Sequence, residues 1–348
     1  MRSAAAAILI VLFAAAGIAQ GPPRGPAREI VNVTGDLYRA RSNNYFAIFL
    51  VTPDGIILAD PINAGFATWL KEQFAERFRV PVRYVIYSHS HWDHIEGADV
   101  FADTARVVAH ERVARNMDGR IPQMPGDMLD RNDNGRFELN EIVDPLTNNG
   151  GRCGMPAGFF KTADRNGDAS LTPAELQQNI RKPDILYSER MQLVLGGRRV
   201  ELVHPGRNHS DDATVVLFPA ERVAFATEFI SDVALPITAS PRAFPSACGP
   251  FDGHPLSEWI RSYRTVESLD FDTFAGGHGA LATKADVTAN REFFEDLVKA
   301  VSAGMAEGRS LEELQKTLLF EKYRDWNGYA QRRGPTIASA YHNLQLYR

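Results

Sequence analysis

Residues 84–97, YVIYSHSHWDHIEG, constrain the chain more than any other stretch. An apolar, β-favouring run from Tyr84 to Tyr87 gives way abruptly to His89, His91, Asp93 and His94. Packing alone does not ask for four metal-capable side chains at the end of a buried strand. In an extended segment, residues i and i+2 point to the same side, so His89 and His91 can meet one metal ion. Asp93 and His94 fall where the chain turns, within reach of a second ion. Imidazole nitrogens with one carboxylate oxygen suit zinc, with iron and manganese as the other candidates.

The segments before this loop build a scaffold for it. Short β-type runs at 30–33, 37–41, 45–52 and 56–59 are separated by Thr34-Gly35 and Pro53-Asp54-Gly55, which predicts an antiparallel meander. Asp60 closes the fourth run, either as a hydrogen-bond acceptor behind the metal loop or as a turn former before Pro61. Phe66, Trp69, Leu70, Phe74 and Phe78 recur at helical spacing, predicting an amphipathic helix over 64–79 whose aromatics are core. Residues 106–109 read as a strand and 110–116 as a helix, with His110 as a surface or capping residue.

Between 117 and 182 the composition shifts to Asn, Asp, Gly and Pro, and two twelve-residue calcium-loop patterns appear. The first places Asp130, Asn132, Asn134 and Glu141 at loop positions 1, 3, 5 and 12, Gly135 at 6 and Arg136 at 7, whose carbonyl ligates. The second places Asp164, Asn166, Asp168, Ser170 and Glu175 at positions 1, 3, 5, 7 and 12. It carries Ala169 where the EF-hand pattern has Gly, so Ala169 must adopt a left-handed conformation and this loop binds more weakly. The pair predicts one or two calcium ions. Such loops suit an exported protein, because extracellular calcium modules work at dissociation constants of roughly 10⁻⁴–10⁻³ M.

The start, MRSAAAAILIVLFAAAGIAQG, has a basic residue, an apolar run and small residues before Gln20. It reads as a secretory signal peptide cleaved after Ala19, which places the mature chain outside the cytoplasm, in the periplasm of a Gram-negative source, with no membrane anchor. Residues 20–27 are a loose Pro/Gly-rich lead-in. A formal charge of −5 without a basic stripe argues against nucleic-acid binding. Cys153 and Cys248, in an oxidising compartment, either pair or stay apart; neither sits in a metal-binding spacing.

The β pattern resumes at 185–188, 191–195 and 199–204, turns at Gly206-Arg207-Asn208, and reaches His209-Ser210-Asp211-Asp212. Strands at 214–218 and 223–227 follow, the second ending at Glu228. A helix over 256–269 and a strand over 271–275 lead to Gly276-Gly277-His278-Gly279. The tail, 284–307, 310–323 and 333–346, is helical, with Trp326, Tyr329, Tyr341 and Leu344 marking a face that packs on the rest of the fold or on a second subunit.

HSHWDH, GRNHS, Glu228 and GGHG each close a strand, and together this set resembles the metallo-β-lactamase superfamily. The resemblance implies an α/β fold, an αββα sandwich formed by residues 28–118 and 183–282. The EF-hand-like helical pair is inserted at 119–182, and C-terminal helices follow at 283–348. It implies that His89, His91 and His209 hold a first metal and that Asp93, His94 and His278 hold a second. Glu228 stands where the family usually has a bridging aspartate, and Asn208 and Glu96 stand where it usually has small residues. His204 and His254 lie in loops near the ligands and read as structural. The implied activity is that of a zinc hydrolase with two zinc ions sharing a hydroxide oriented by Asp93. Its small-molecule substrate would be an ester, lactone, thioester or amide, β-lactams included. Two alternatives stay open: a mononuclear iron enzyme acting on a thiol or persulfide, and a calcium-binding interaction protein on an inactive hydrolase scaffold. The oligomeric state is left open.

Overall fold

The structure, a computed structural model, describes residues 27–117, 134, 136–138, 164–172, 175, 180–230, 240–245 and 254–347. The signal-peptide reading, both cysteines, Asp130, Asn132, Glu141 and most of the proline-rich stretch 231–255 lie outside them.

Strands β1 (Arg28–Thr34), β2 (Leu37–Ser42), β3 (Tyr45–Thr52) and β4 (Gly55–Ala59) form the antiparallel meander read from the turn residues. Helix α1 (Ala64–Arg77) crosses over to β5 (Val82–Ile86), which lies parallel to β4. Asn63 caps α1 by accepting from the Phe66 amide, and the i, i+4, i+8 spacing of Phe66, Leu70 and Phe74 puts all three in the core. Helix α2 (Trp92–Ile95), β6 (Arg106–His110) and α3 (Glu111–Asn116) follow. Two two-residue strands, β7 (Phe137–Glu138) and β8 (Ser170–Leu171), pair antiparallel, Phe137 opposite Leu171. β9 (Ile185–Tyr187) then completes a seven-stranded sheet beside β6.

A second, six-stranded sheet holds β10 (Arg190–Leu195), β11 (Arg198–Val203), β12 (Val215–Phe218), β13 (Val223–Ala226), β14 (Thr273–Gly276) and β15 (Ala282–Thr283) in sequence order. α4 (Leu256–Glu267) crosses between β13 and β14, which run parallel. The tail is α5 (Lys284–Ala306), α6 (Leu311–Thr317) and α7 (Tyr329–Leu346). Capping boxes at Thr283/Asp286 and Ser310/Glu313 start α5 and α6.

The layering follows from period-2 burial on both faces of each sheet. Ile48, Leu50, Ile57 and Ile86 of the first sheet meet Leu202, Val216, Phe218 and Phe225 of the second between the sheets. Their sequence neighbours Phe49, Leu58 and Val85 face α1, while Val215, Leu217 and Ala224 face α4 to α7. Helices therefore cover both outer faces: the fold is a mixed α/β sandwich with two sheets and a helical C-terminal region. Trp326, Tyr329, Tyr341 and Leu344 pack on this sandwich, as one of the two readings of the tail had it.

The last helix begins at Tyr329 rather than Arg333 and runs through Pro335. The four additional residues at its start are held by Trp326 and Tyr329, which pack against Phe244. The helix expected over 310–323 is split into α6 and a 3₁₀ turn at Glu321–Tyr323, because Phe320 takes a left-handed conformation between them.

Candidate metal centre

The parallel pairs β4–β5 and β13–β14 each deliver two strand ends to one edge of their sheet. Chain segments leaving those ends carry the histidines. After β5, Ser88 Oγ lies 2.9 Å from His89 Nδ1 and leaves His89 Nε2 free to face the site. His91 precedes the first residue of α2, so the chain turns there and places Asp93 and His94 in one helical turn. The Ile62 amide donates to the His94 carbonyl at 2.8 Å and fixes that turn. Gly97 admits the approach: a Cβ there would come within 2.6 Å of the Pro61 carbonyl.

His209 reaches the same place from the loop between β11 and β12. Its Nε2 is 3.0 Å from His91 Nδ1, close to the edge, about 3.3 Å, of a tetrahedron with zinc–nitrogen bonds of 2.0–2.1 Å. Asn208, buried beside it, donates to Ser262 Oγ of α4 at 2.9 Å and anchors the loop. Asp212 ties this loop to the first one, accepting from the Ser90 amide and from Asn116 Nδ2.

His278 is aimed by its own neighbours. Its Nδ1 faces the Asn44 carbonyl at 3.0 Å, which turns Nε2 to Glu228 Oε1 at 2.5 Å. Gly277 lies so close to Thr227 that a Cβ would meet its side chain at 2.6 Å. Behind the turn, the buried Arg39 guanidinium donates to the Gly276 and Gly279 carbonyls and stacks 3.6 Å over Phe46. Burial lowers its pKa to about 9.

Two groups of side chains result, each with its ligand atoms within 4.8 Å of one another: His89, His91 and His209, and His94, Glu228 and His278. Asp93 belongs to neither trio but borders the second, its Oδ2 3.7 Å from His94 Nε2. Glu228 Oε1 is 3.4 Å from the same His94 nitrogen. Glu228 stands in a left-handed backbone conformation (φ 60°), as do Asp60 (φ 58°) and Ile62 (φ 60°). Three non-glycine residues held there around one site mark a geometry that the surrounding fold imposes.

The donor set fits a cation. His89 Nε2, Asp93 Oδ1, His94 Nδ1 and His94 Nε2 are buried and have no hydrogen-bond partner among the described residues. Orphaned buried atoms of this kind are costly unless an ion completes them. Burial, then the neighbouring imidazoles, hold His89 and His91 well below the usual histidine range, which is the neutral ligating form. Burial pulls the His94 value down, but Asp93, Glu228 and Asp60 outweigh it and raise it to about 9. Burial likewise opposes ionisation of Glu228, yet His278 and His94 hold its carboxyl well below the usual range. With Glu228 between its two imidazoles and Asp93 at its border, the second trio favours a positive charge.

Asp60 takes the acceptor role open to it in sequence, accepting from the Ser88 amide. His110 takes the capping role, one of the two readings open to it in sequence. It caps α3, accepting from the Arg112 amide, and is buried, because His204 stacks on it with ring centroids 4.0 Å apart. His204 is held structurally, its Nδ1 2.8 Å from the Ala213 carbonyl. Burial, then His204, lowers the His110 pKa from 6.5 to about 4. Between those values the unfolded chain binds more protons than the folded one. Stability is therefore unaffected above pH 6.5 and declines as pH falls towards 4, by roughly 2–3 kcal/mol at most. A His110→Asn variant, which keeps a capping side chain, is expected to show a flatter acid limb in urea midpoints measured from pH 7.5 to 4.5. Identical limbs for the two proteins would remove His110 as the cause.

Of the calcium-loop residues, Asn134, Arg136, Asp164, Asn166, Asp168, Ser170 and Glu175 are described, and none joins either trio. Asp164 accepts from the amides of Gly167, Asp168 and Ala169, while Asp168 Oδ2 pairs with Arg136 at 2.7 Å. Ala169 is left-handed (φ 61°), as its loop position requires.

Sequence reasoning passed over Tyr45, Asn44, Arg39 and Asp212 as site residues. Only Asp212, next to His209-Ser210-Asp211, carried any local signal.

Comparison with known proteins bears on the family and the fold. Residues 46–278 match the model of the family described as the Metallo-beta-lactamase superfamily. The 2,4-dinitroanisole O-demethylase subunit alpha of Nocardioides sp. (strain JS1661) is 21% identical over 277 residues, 78% of this chain; the chain spans only 63% of that protein's length. A double mutant of the sec-alkyl sulfatase PisA1 superposes with a TM-score of 0.60 at 17% identity, over 91% of this chain and 50% of its own. FIM-1 from Pseudomonas aeruginosa, in its mono-zinc form, gives 0.52 at 12% identity, over 79% and 97%.

Proposed function

The chain belongs to the metallo-β-lactamase superfamily, and from that premise we propose that it is an exported zinc hydrolase of a small molecule, cleaving an ester, lactone, thioester or amide bond, β-lactams included. One observation carries this reading: two adjacent trios, five histidines and Glu228, converge at the ends of β5, β13 and β14 and in the β11–β12 loop. His89, His91 and His209 would hold the first zinc; His94, Glu228 and His278, with Asp93, the second. Zinc ions bound there supply a nucleophile from water at neutral pH and polarise the scissile group's oxygen. Asp93, its Oδ1 buried without a partner among the described residues, would orient that nucleophile while ligating. Glu228, between His94 and His278, fixes the separation of their nitrogens.

The mono-zinc form of FIM-1 makes zinc the first metal to test. The names of the other two relatives, an O-demethylase and a sulfatase, add an aryl methyl ether and a sulfate ester to the bonds worth trying. A lone iron site is disfavoured by the second trio, which a mononuclear enzyme has no use for.

We further propose that residues 119–182 bind one or two calcium ions as a structural staple. Support comes from the two twelve-residue patterns, the left-handed Ala169, and the pairing of Phe137 with Leu171, each at position 8 of its loop. The apolar leader supports export; among the described residues no helix is long and apolar enough to cross a membrane.

Metal content tests these readings together. Mass spectrometry on protein purified without chelator is expected to find two zinc and one or two calcium ions per chain. Stripping and reloading with zinc alone should restore hydrolysis of some member of the substrate panel only in part until calcium is added. One iron and no zinc per chain overturns the hydrolase reading, and full recovery on zinc alone overturns the staple.

A further inference from the structure

We propose that Tyr45 is a positioning residue of the metal centre: its hydroxyl holds the Asp93 carboxylate at the border of the second trio. The inference deepens the hydrolase reading and rests on it. Tyr45 opens β3, and its main chain is strapped to the turn that carries His278. Tyr45 and His278 form an isolated antiparallel bridge. On either side, the Asn44 carbonyl faces His278 Nδ1 at 3.0 Å and the Phe46 amide donates to the Gly277 carbonyl at 2.8 Å. The backbone thus leaves the Tyr45 side chain little freedom in where it starts.

From there the ring lies across the second trio. Its edge meets His278 with centroids 4.7 Å apart, and it tilts over His94 at 5.3 Å. At its far end the hydroxyl reaches Asp93 Oδ2 at 3.3 Å. The other oxygen of that carboxylate, Oδ1, is buried with no partner among the described residues. The tethered oxygen, Oδ2, is the one that lies 3.7 Å from His94 Nε2, so the Tyr45 hydroxyl keeps the Asp93 carboxylate beside the second trio. Histidine rings alone cannot impose this. The tether also links the hairpin at Asn43-Asn44 to the loop after β5, two parts of the chain that share no local pattern.

Phenylalanine at position 45 keeps both ring contacts and removes only the donor. The test is stepwise zinc binding to the full-length protein, read by competition with a chromophoric chelator. In the Tyr45→Phe protein the first zinc is expected to bind as in wild type and the second about 5- to 30-fold more weakly, the range for loss of a hydrogen bond that orients a ligand. In an Asp93→Asn background the same substitution is expected to change the second affinity by less than about twofold, because the partner charge is gone. An unchanged second affinity in Tyr45→Phe overturns the proposal, as does an effect that persists in full beside Asp93→Asn. Equal weakening of both sites points to general loosening and overturns it too. A wild-type protein that takes up a single zinc overturns the two-cluster reading and this inference with it, so the two failures are told apart.

Discussion

Replacing Glu228 by alanine should leave a folded protein that keeps one zinc ion per chain and loses about two to four orders of magnitude in kcat/KM on any substrate the wild type hydrolyses. The expectation rests on what Glu228 touches. Its Oε1 stands between His278 Nε2 at 2.5 Å and His94 Nε2 at 3.4 Å, and it supplies the only carboxylate of the second trio. Without it the pocket that draws positive charge retains Asp93 at its border and Asp60 behind it, while two imidazoles face each other with nothing between. The first trio draws no ligand from Glu228, so its zinc should survive. Glu228→Asp is the sharper variant. Aspartate tolerates the left-handed backbone at this position better than glutamate does, but it is one methylene shorter and cannot span the same two nitrogens. Its second zinc should be weakened rather than lost. Metal counting beside kinetics decides the matter: an alanine variant with two zinc ions and wild-type kcat/KM would show that Glu228 is a bystander.

The large features were legible because each carries a local physical signature. His89, His91, Glu228 and His278 all follow apolar runs that stop at polar residues, so their placement at strand ends needed only the period-2 pattern. His209 required more, since it lies six residues beyond Val203, the end of the strand that precedes it; Gly206 and Asn208 gave the turn away. What escaped depends on contacts between segments far apart in sequence. Asp93 was read as a ligand on adjacency to His94, yet where its oxygens sit depends on Tyr45, 48 residues earlier. The strand-to-helix pattern around His110 allows a surface or a capping role, and nothing local shows that the capping ring is buried. Its burial comes from His204, which belongs to the other sheet's loops. Arg39, on a strand with one polar face in sequence, gave no hint that its guanidinium is buried under the His278 turn. In each case the missing information was which sheet edge comes to lie against which, and no single stretch of sequence holds it.

Asp60→Ala is expected to cost the zinc-free protein roughly 3–6 kcal/mol, a large share of the 5–15 kcal/mol that holds a typical domain together. Asp60 is completely buried, and three parts of the fold converge on it. Its Oδ1 accepts from the Ser88 amide at 2.9 Å, at the head of the histidine loop; Oδ2 accepts from Thr227 Oγ1 at 2.8 Å, one residue before Glu228. Oδ2 also lies 3.8 Å from His94 Nδ1. Burial pushes the Asp60 carboxyl up, and His94, Ser88 and Thr227 pull it back, so the group is costly to bury and compensated by those partners. Alanine leaves a buried amide and a buried hydroxyl without their acceptor, about 1–3 kcal/mol each. It must also hold φ near 58°, which adds about 1–2 kcal/mol for a residue with a Cβ and no compensating side-chain bond. Asp60→Asn separates these contributions: it is nearly isosteric, tolerates the left-handed region and still accepts from Ser88, so a loss of about 1–2 kcal/mol is expected. Urea unfolding in the presence of a chelator measures both variants without the contribution of zinc binding. An alanine variant within about 1 kcal/mol of wild type would mean that the two halves of the sandwich hold the histidine loop by packing alone. The predicted order, wild type above Asn above Ala, would instead identify one buried carboxylate as the tie between the strand ends that carry the two trios.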